Sequence, residues 1–375
     1  MYKYYMPTKV ISGKECILNN SGMFKALGKK ALIVTGANSA KKNGSERDVK
    51  AALDSAGIAY VVFDRVMSNP TISCAYKGAS VARKNAVDFI IAIGGGSPMD
   101  AGKAIALLAA QDIKEEDLFS GNYEDKVLPM AFVPTTAGTG SEVTQYSILT
   151  NDRAQTKTSI ASDLLFPAVA FLDPGYMEQL PVNATVNTAV DALSHAVEGM
   201  LSVRASIISN ALAAESIGMI ISCVPEILKA SDQGSETVIS LETREQLLQA
   251  SFMAGIVIAQ TGTTAVHAMG YSLTYFKDID HGRANGLLLG QYLELVGKEK
   301  PELAEKILKA MNLSSVEDFK GLMNRLLGEK EKICAQEISG YSKMAIQTKN
   351  IANSIVKPTE EELMEIYRAS LQAAV

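Results

Sequence analysis

The first half of the chain alternates short apolar runs with longer amphipathic stretches. The amphipathic stretches, such as residues 46–56 and 73–84, predict helices, and the apolar runs between them predict buried strands. Continuous apolar strands separated by helices are typical of a parallel sheet that is covered on both faces. The predicted strands are residues 31–35, 59–63, 89–93, 131–133 and 169–172.

From about residue 180 the pattern changes to helical periodicity with almost no strand signal. Thr359 and Glu362 have the spacing of a capping box at the start of the last predicted helix. Residues 230–235 predict a polar loop. We therefore predict an α/β domain over residues 1–180 and an all-α domain over residues 181–375. The predicted helices include residues 186–202, 206–230, 242–260, 283–296, 301–311 and 360–373.

Composition narrows the class of protein. Apolar residues make up 47% of the 375 residues and charged residues 21%, which is typical of a globular chain. The net charge of −5 gives no electrostatic reason to expect a nucleic-acid partner. We expect no membrane span and no signal peptide, because no apolar run is long enough. The four cysteines form no CxxC pair, so we expect reduced thiols in a cytoplasmic protein.

Two glycine-rich turns follow predicted strands. The segment from Gly94 to Ser97 opens a helix, and glycines at a helix N-terminus let the backbone approach an anion closely. The second turn, residues 134–142, crowds hydroxyls and glycines into one loop. Either turn alone is equally compatible with an ordinary strand-to-helix connection. Two such turns at strand carboxyl ends predict the nucleotide crevice of an open α/β sheet.

The chain has only three histidines, and a carboxylate lies near the first of them. Asp191 and His195 are one helical turn apart, so their side chains share a face and can reach one ion. His267 and His281 lie further along the chain. Three imidazoles and one carboxylate suit a borderline divalent metal such as Fe²⁺ or Zn²⁺. We interpret these four residues as one metal site, although a lone histidine on an apolar helix is more often a core residue.

These motifs together resemble those of iron-containing (group III) alcohol dehydrogenases, whose fold dehydroquinate synthases share. The resemblance spans nearly the whole length, and the order and spacing of the motifs make it specific. It implies an N-terminal dinucleotide-binding domain and a C-terminal helical domain for metal and substrate. The motifs are Asn69-Pro70-Thr71, Gly94-Gly95-Gly96-Ser97 with Asp100, residues 134–142, Asp173-Pro174, residues 191–198, and His267 with His281 fourteen residues later.

The resemblance assigns roles to individual residues. Asp191, His195, His267 and His281 match the four metal-ligand positions of the family. Residues that match the pyrophosphate turn, the loop along the cofactor and further cofactor contacts are Gly95, Gly96, Ser97, Asp100, Thr135, Thr136, Thr139, Asn69 and Lys157.

One departure from the family pattern bears on the choice between NADP and NAD. Many members have an aspartate where Gly36 stands, and that carboxylate would repel the 2′-phosphate of NADP. Here Ser39, Lys41 and Lys42 follow Gly36 and offer donors to a phosphate. We therefore expect NADP to be favoured somewhat over NAD. A solvated loop that happens to carry lysines is the alternative.

A second departure concerns the proton relay. Many members have a histidine four residues after His267, and this chain has Tyr271. A phenol has a reference pKa of about 10, which makes it a poor base at neutral pH. Tyr271, water or the cofactor ribose are the candidates for the relay, and His267 and Tyr271 are the predicted catalytic residues.

The expected activity is reversible hydride transfer between small primary alcohols or diols and aldehydes. The metal would act as a Lewis acid beside the nicotinamide cofactor. A homodimer or higher homo-oligomer is expected. The alternatives are a dehydroquinate synthase-like lyase, a polyol (glycerol-type) dehydrogenase on the same fold, and a non-catalytic binding module. Around residues 267–283 only Lys277 and Arg283 could serve the phosphorylated substrate of such a lyase, which argues against it.

Overall fold

The structure, a computed structural model, describes residues 2–233 and 238–374. The chain divides into two compact units. The sheet unit comprises Tyr5–Leu180 and Ser240–Leu248, and the helical unit comprises Met1–Tyr4, Pro181–Ile239 and Gln249–Val375. Within the sheet unit, the buried guanidinium of Arg244 donates to the carbonyl oxygen of Leu180 at 2.7 Å, which ties the short second segment to the end of the first.

The sheet unit contains one large sheet and one hairpin. The strands of the sheet are β1 (Lys9–Ser12), β2 (Lys30–Thr35), β3 (Ala59–Phe63), β4 (Phe89–Gly94), β5 (Met130–Pro134) and β8 (Val169–Leu172), and the hairpin joins β6 (Tyr146–Asn151) to β7 (Thr156–Ala161). The strand order is β1-β8-β5-β4-β2-β3, and every neighbouring pair is parallel. The predicted parallel sheet is confirmed.

Both faces of the sheet are covered. Ile33 of β2 packs into one apolar core, and its neighbours Leu32 and Val34 pack into a second core on the other face. A strand that is buried on both sides must be apolar at consecutive positions, which explains the continuous runs in the sequence. The helices of this unit are α1 (Cys16–Asn19), α2 (Ser39–Lys42), α3 (Ser45–Ala56), α4 (Ile72–Lys84) and α5 (Gly96–Ala110).

The helical unit confirms the predicted change of pattern. Its α-helices are α6 (Val182–Met200), α7 (Ile207–Gln233), α8 (Leu241–Thr261), α9 (Ala265–Lys277), α10 (His281–Glu299), α11 (Pro301–Ala310), α12 (Val316–Leu327), α13 (Ala335–Ala345), α14 (Lys349–Asn353) and α15 (Glu360–Ser370). The first residues of α8 belong to the sheet unit. The only strands within the described part of this unit are the two-residue β9 (Lys332–Ile333) and β10 (Gln372–Ala373). Thr359 and Glu362 form the predicted capping box at α15.

Two local predictions need correction. The loop predicted at residues 230–235 is helical as far as Gln233, where α7 ends, and residues 234 and 235 lie outside the described residues. The sequence also does not predict β1 or the β6–β7 hairpin. Along the hairpin only Leu149 and Ile160 are buried apolar residues, so the hydrophobic pattern there is too sparse to indicate strands.

One helix of the helical unit is long and apolar enough, by length and composition alone, to cross a membrane. This helix is α7, with 27 residues. The same helix packs against α6 and α11, and its Ser216 hydroxyl donates to the carbonyl oxygen of Ala250 in α8. Its apolar face is therefore used in packing within the unit.

Candidate metal centre and cofactor turns

The candidate metal centre lies in the helical unit and begins on α6. Asp191 and His195 lie one turn apart on this helix, and both side chains are buried. The distance from Asp191 Oδ1 to His195 Nε2 is 3.8 Å. The predicted sharing of one helix face is therefore realised.

The other two histidines come to the same place from α9 and from the first residue of α10. Asp191, His267 and His281 each present one ligating atom, and these atoms all lie within 4.8 Å of one another. The His195 ring stacks on the His267 ring with centroids 4.9 Å apart. The structure thus brings together all four residues in the predicted ligand set, and the set has the three nitrogens and one oxygen that Fe²⁺ and Zn²⁺ accept.

A glycine allows α10 to start so close to α6. A Cβ atom at Gly282 would lie 1.9 Å from the carbonyl oxygen of Asn187 and 2.9 Å from Cβ of Asp191. The Asp280 side chain caps the helix by accepting a hydrogen bond from the Gly282 N–H. Any larger residue at position 282 would push His281 away from Asp191.

Glu198 holds His267 from the side opposite the centre. Its carboxylate is fully buried and accepts hydrogen bonds from the Thr264 N–H at 2.8 Å, the Thr264 hydroxyl at 2.7 Å and the His267 N–H at 3.3 Å. The second carboxylate oxygen contacts Nδ1 of His267. Burial opposes ionisation, but the contact with His267 and the hydrogen bonds from Thr264 outweigh it, so the pKa of Glu198 lies below its usual value.

This arrangement fixes which nitrogen of His267 faces the centre. A carboxylate that already accepts three hydrogen bonds is an acceptor toward Nδ1 as well, so Nδ1 carries the proton and Nε2 keeps its lone pair. The spacing of Glu198, three residues after His195, is compatible with a partner of a ligating imidazole and equally with a surface or interface carboxylate. In the structure Glu198 is the buried partner of the His267 imidazole, within the helical unit.

Tyr271 lies one turn beyond His267 on α9. Its ring is 6.2 Å from the His267 ring in an edge-on arrangement and 5.6 Å from the His281 ring, with the latter two planes nearly parallel at 7°. The side chain is partly exposed. Tyr271 therefore borders the candidate centre and retains access to solvent.

The two glycine-rich turns lie against each other at the carboxyl ends of β4 and β5. A Cβ atom at Gly95 would lie 3.0 Å from the Thr136 hydroxyl, and one at Gly96 would lie 2.8 Å from the Thr139 methyl group. The Thr135 N–H donates to the carbonyl oxygen of Gly94 at 2.9 Å. The glycines are required here because any side chain would separate the two turns.

A third segment joins these turns. The Asn69 N–H donates to the Ser97 hydroxyl at 3.2 Å, and the Thr150 hydroxyl donates to the Asn69 carbonyl oxygen at 3.0 Å. Asn69 adopts a left-handed conformation with φ of 55°. Lys157 pairs with Thr150 across the β6–β7 hairpin. Asn69, Ser97 and Lys157, which are far apart in sequence, therefore lie near one another.

Asp100 belongs to a buried polar network beneath the turns. Its carboxylate accepts from the Ser141 hydroxyl at 2.7 Å, and the fully buried Lys103 ammonium donates to the Ser141 hydroxyl, the Thr144 hydroxyl and the Tyr146 carbonyl oxygen. Burial lowers the pKa of Lys103 to about 8 and raises that of Asp100 to about 6. The network connects α5 to the second turn. Lys103, which lies three residues from Asp100, was not identified from the sequence.

In the loop after β2, one of the two lysines is held in an ion pair that the sequence does not predict. A Cβ atom at Gly36 would meet only the Val66 carbonyl oxygen at 3.4 Å and the Ser39 hydroxyl at 4.0 Å, so a side chain fits there. Ser39 is exposed. The Lys41 ammonium forms an ion pair with Asp64 at 2.6 Å, just beyond the end of β3, and this pair raises the pKa of Lys41. Lys42, at the end of α2, is exposed.

Two family models cover most of the chain. The model described as iron-containing alcohol dehydrogenase matches residues 7–174, and the model for the C-terminal part of the Fe-containing alcohol dehydrogenase family matches residues 185–371. The first contains the glycine turns and the second contains the four clustered residues.

Sequence and structure comparisons agree with the models. The 1,3-propanediol dehydrogenase of Citrobacter freundii is 33% identical, with 98% of each chain covered. The NAD-dependent methanol dehydrogenase of Bacillus methanolicus is 28% identical over 94% of this chain and 91% of that protein. The crystal structure of an iron-containing alcohol dehydrogenase from Thermotoga maritima superimposes with a TM-score of 0.90 at 39% identity, covering 99% of both chains. The resemblance inferred from the motifs is confirmed: the chain belongs to the iron-containing alcohol dehydrogenase family.

Proposed function

We propose that the protein interconverts small primary alcohols or diols and the corresponding aldehydes with NAD(P), and uses a divalent iron or zinc ion. The reaction is alcohol plus NAD(P)⁺ giving aldehyde, NAD(P)H and one proton. The observation that carries the proposal is the convergence of Asp191, His267 and His281, with His195 stacked beside them. Family membership supports the same reaction class.

In this proposal Asp191, His195, His267 and His281 hold the ion. A divalent ion bound there supplies a Lewis acid for the substrate oxygen. Neighbouring residues hold the ligating side chains in position before the ion binds. Glu198 keeps the Nδ1 proton of His267 in place and turns Nε2 toward the centre, and Thr274 contacts Nδ1 of His281 at 3.4 Å. Such fixed imidazoles lose little freedom when the ion binds.

We assign cofactor binding to the sheet unit and metal and substrate binding to the helical unit. Gly95 and Gly96 allow a pyrophosphate to approach the N-terminus of α5, where unpaired N–H groups and the helix dipole favour an anion. Residues that would line the rest of the cofactor are Asn69, Ser97, Asp100, Thr135, Thr136, Thr139 and Lys157.

We propose a modest preference for NADP over NAD. Gly36 leaves space and no charge where an acidic residue would repel a 2′-phosphate, and Ser39, Lys41 and Lys42 offer donors. The Lys41–Asp64 ion pair limits this preference, since the carboxylate already neutralises part of the positive charge of the loop.

Tyr271 is the proposed proton carrier. Its position beside His267 and His281 and its partial exposure allow the phenol to pass a proton between the substrate oxygen and solvent. It takes the place of the histidine that many members have there.

The lyase alternative loses support from the environment of its two candidate cations. Lys277 forms an ion pair with Glu337 at 2.7 Å. Arg283 pairs with Glu331 and donates to the carbonyl oxygens of Leu327 and Glu329. Both positive charges are thus engaged within the helical unit and are poorly placed to bind a phosphorylated substrate.

A glycerol-type polyol dehydrogenase remains the alternative within the same chemistry, and we further propose a cytoplasmic homodimer or higher homo-oligomer. Light scattering after size-exclusion chromatography measures the oligomer. A panel of alcohols, diols, glycerol and aldehydes separates the substrate classes by kcat/KM.

The central experiment follows the nicotinamide absorbance of protein prepared without oxygen. We expect turnover with short alcohols or aldehydes that is lost with a chelator and restored by Fe²⁺ or Zn²⁺. Metal analysis of the same samples should give one ion per chain. Turnover that survives complete removal of divalent ions, or a chain that binds none, contradicts the proposal.

A further inference from the structure

Asn285 is a fully buried amide that lies among the candidate metal ligands. It follows His281 by one turn on α10, so the two side chains share a helix face. Its Nδ2 atom lies 3.1 Å from Asp191 Oδ1, 3.1 Å from His267 Nε2 and 3.4 Å from His281 Nε2. The amide thus contacts the ligating atoms of three helices at once.

Two of the atoms that face the Asn285 NH₂ group are hydrogen-bond acceptors. Asp191 Oδ1 is a carboxylate acceptor, and His267 Nε2 is an acceptor because Nδ1 of the same ring carries the proton toward Glu198. The Asn285 NH₂ group therefore donates into a set of electron pairs. These are the electron pairs that a cation would receive, so the Asn285 amide lies where it would meet a bound ion.

The other half of the amide is left without a partner. Asn285 Oδ1 is buried and makes no hydrogen bond with any of the described residues. A buried carbonyl oxygen without a partner costs about 1–3 kcal/mol, so its retention calls for an explanation. Rotation of the amide by half a turn about its Cβ–Cγ bond exchanges the two ends and directs Oδ1 at the three ligating atoms.

We infer that Asn285 is a fifth residue of the metal centre, whose amide oxygen turns toward the bound ion. Once the ligand electron pairs are engaged by an ion, the NH₂ group has no acceptors there and is repelled by the cation. Oδ1 is then attracted to it, directly or through a water molecule. A neutral amide oxygen can add to a set of nitrogen and carboxylate ligands around a borderline ion such as Fe²⁺, although it is a weaker ligand there than an imidazole. The inference depends on the proposed metal centre.

Gly270 supplies independent geometric support. A Cβ atom at Gly270 on α9 would lie 2.2 Å from Asn285 Oδ1. Gly270 therefore leaves the space in which the amide oxygen sits. The Gly270→Ala substitution would displace the amide without altering any of the four proposed ligands.

The test measures metal affinity of the full-length protein by competition with a chelator, using Fe²⁺, Co²⁺ and Zn²⁺ separately. Asn285→Leu, which has a similar volume and no oxygen, should bind Fe²⁺ and Co²⁺ about 10- to 100-fold more weakly than the wild type. Asn285→Asp should bind them more tightly, because it adds an anionic oxygen. Gly270→Ala should weaken binding in the same direction as Asn285→Leu.

Two further readouts separate a role at the metal from a packing role. The visible absorption of the Co²⁺ protein should change in Asn285→Leu, since the coordination sphere changes, whereas Ser194→Ala on α6 should leave it unchanged. Addition of Co²⁺ should stabilise Asn285→Leu against unfolding less than it stabilises the wild type, because the variant binds the ion more weakly. A packing role predicts instead that substitutions at 285 lower stability equally with and without the ion, and leave metal affinity and the Co²⁺ spectrum unaltered.

The outcomes also separate this inference from the proposed function. If the wild type binds no divalent ion, the proposed centre itself is wrong. If the wild type binds one ion and all variants at positions 285 and 270 bind it with equal affinity and equal Co²⁺ spectra, only the role of Asn285 is overturned.

Discussion

The phenol ring of Tyr271 lies parallel to the imidazole ring of His281, with centroids 5.6 Å apart. The two residues come from neighbouring helices, and the stacking places the phenol beside a proposed metal ligand. A residue in this position can exchange a proton with the substrate oxygen without itself binding the ion.

We expect the Tyr271→Phe substitution to lower kcat by about 100-fold, since it removes the hydroxyl and keeps the ring. Metal content and cofactor affinity should stay at wild-type levels. Tyr275→Phe, one turn further along α9, is the matched control. Equal turnover by wild type and Tyr271→Phe would assign proton transfer to water or to the cofactor ribose.

We expect His267→Ala to lose metal and activity together, because it removes one nitrogen ligand and leaves Glu198 as a buried carboxylate without its imidazole partner. Cofactor binding to the sheet unit, followed by nicotinamide fluorescence, should persist. Ser194→Ala is the control, since the Ser194 hydroxyl is buried between two ligands and donates only to its own helix at Asp191 O. Full activity in His267→Ala would refute the metal assignment.

Gly36→Asp should shift the cofactor preference toward NAD. The structure has room for the side chain, and its charge would repel a 2′-phosphate. We expect the ratio of kcat/KM for NADP to that for NAD to fall by at least about tenfold, equivalent to about 1.4 kcal/mol. Gly340→Asp, at an exposed position where a Cβ atom would meet nothing within 4 Å, controls for the added charge. An unchanged ratio would contradict the proposed role of this loop.

Asp64→Asn should act in the opposite direction. It releases the Lys41 ammonium from its ion pair, and the added positive charge should strengthen binding of NADPH relative to NADH. Since both partners are substantially exposed, we expect a modest change of about two- to fivefold, which salt should reduce. Glu124→Gln breaks a comparable exposed pair with Lys126 and should have no effect on cofactor affinity. A loss of NADPH affinity in Asp64→Asn would mean that the pair positions the loop.

The pH dependence of stability tests the burial of the Glu142 carboxyl group, at the end of the second glycine-rich turn. Burial raises the pKa of Glu142 from its ordinary value of 4.5 to about 7. A group with a raised folded-state pKa contributes stability that is present below its unfolded value and is lost as the pH rises through its folded value. As the pH rises from about 4.5 to 7, the free energy of unfolding of Glu142→Gln should therefore increase relative to that of the wild type, by at most about 3 kcal/mol.

Denaturant unfolding of both proteins across this pH range, followed by a signal from the sheet unit, measures the effect. The exposed Glu116→Gln provides the control. A stability difference that does not vary with pH would contradict a buried, pH-sensitive carboxyl group at position 142.

The sequence predicts the fold well where burial is uniform. Strands such as β2 and β4 are apolar at consecutive positions because both sheet faces are covered, and their predicted bounds differ from the structure by one residue. The β6–β7 hairpin escapes prediction because it is polar along most of its length, buries only the apolar side chains of Leu149 and Ile160, and is held by contacts such as that of Thr150 with Asn69. The hairpin therefore depends on tertiary partners that no local pattern reveals.

In the candidate site too, the sequence predicts what a local pattern sets and misses what depends on tertiary contacts. Asp191 and His195 are predictable because a single helix sets their relationship, and the scarcity of histidine identifies the other two residues. Asn285 and Glu198 have ordinary residue types on helical faces, and their roles depend on the approach of α9 and α10 to α6. The only signals in the sequence were spacings: Glu198 follows His195 by three residues, and Asn285 follows His281 by one helical turn.

The close packing of the His195, His267 and His281 rings has a practical consequence. Since these are the only imidazoles in the chain, every histidine resonance in a nuclear magnetic resonance spectrum of the untagged protein comes from this cluster. Occupancy, tautomers and exchange at the centre can therefore be followed without any isotope-selective assignment, and an imidazole-directed acylating reagent would report on protection of the same three rings.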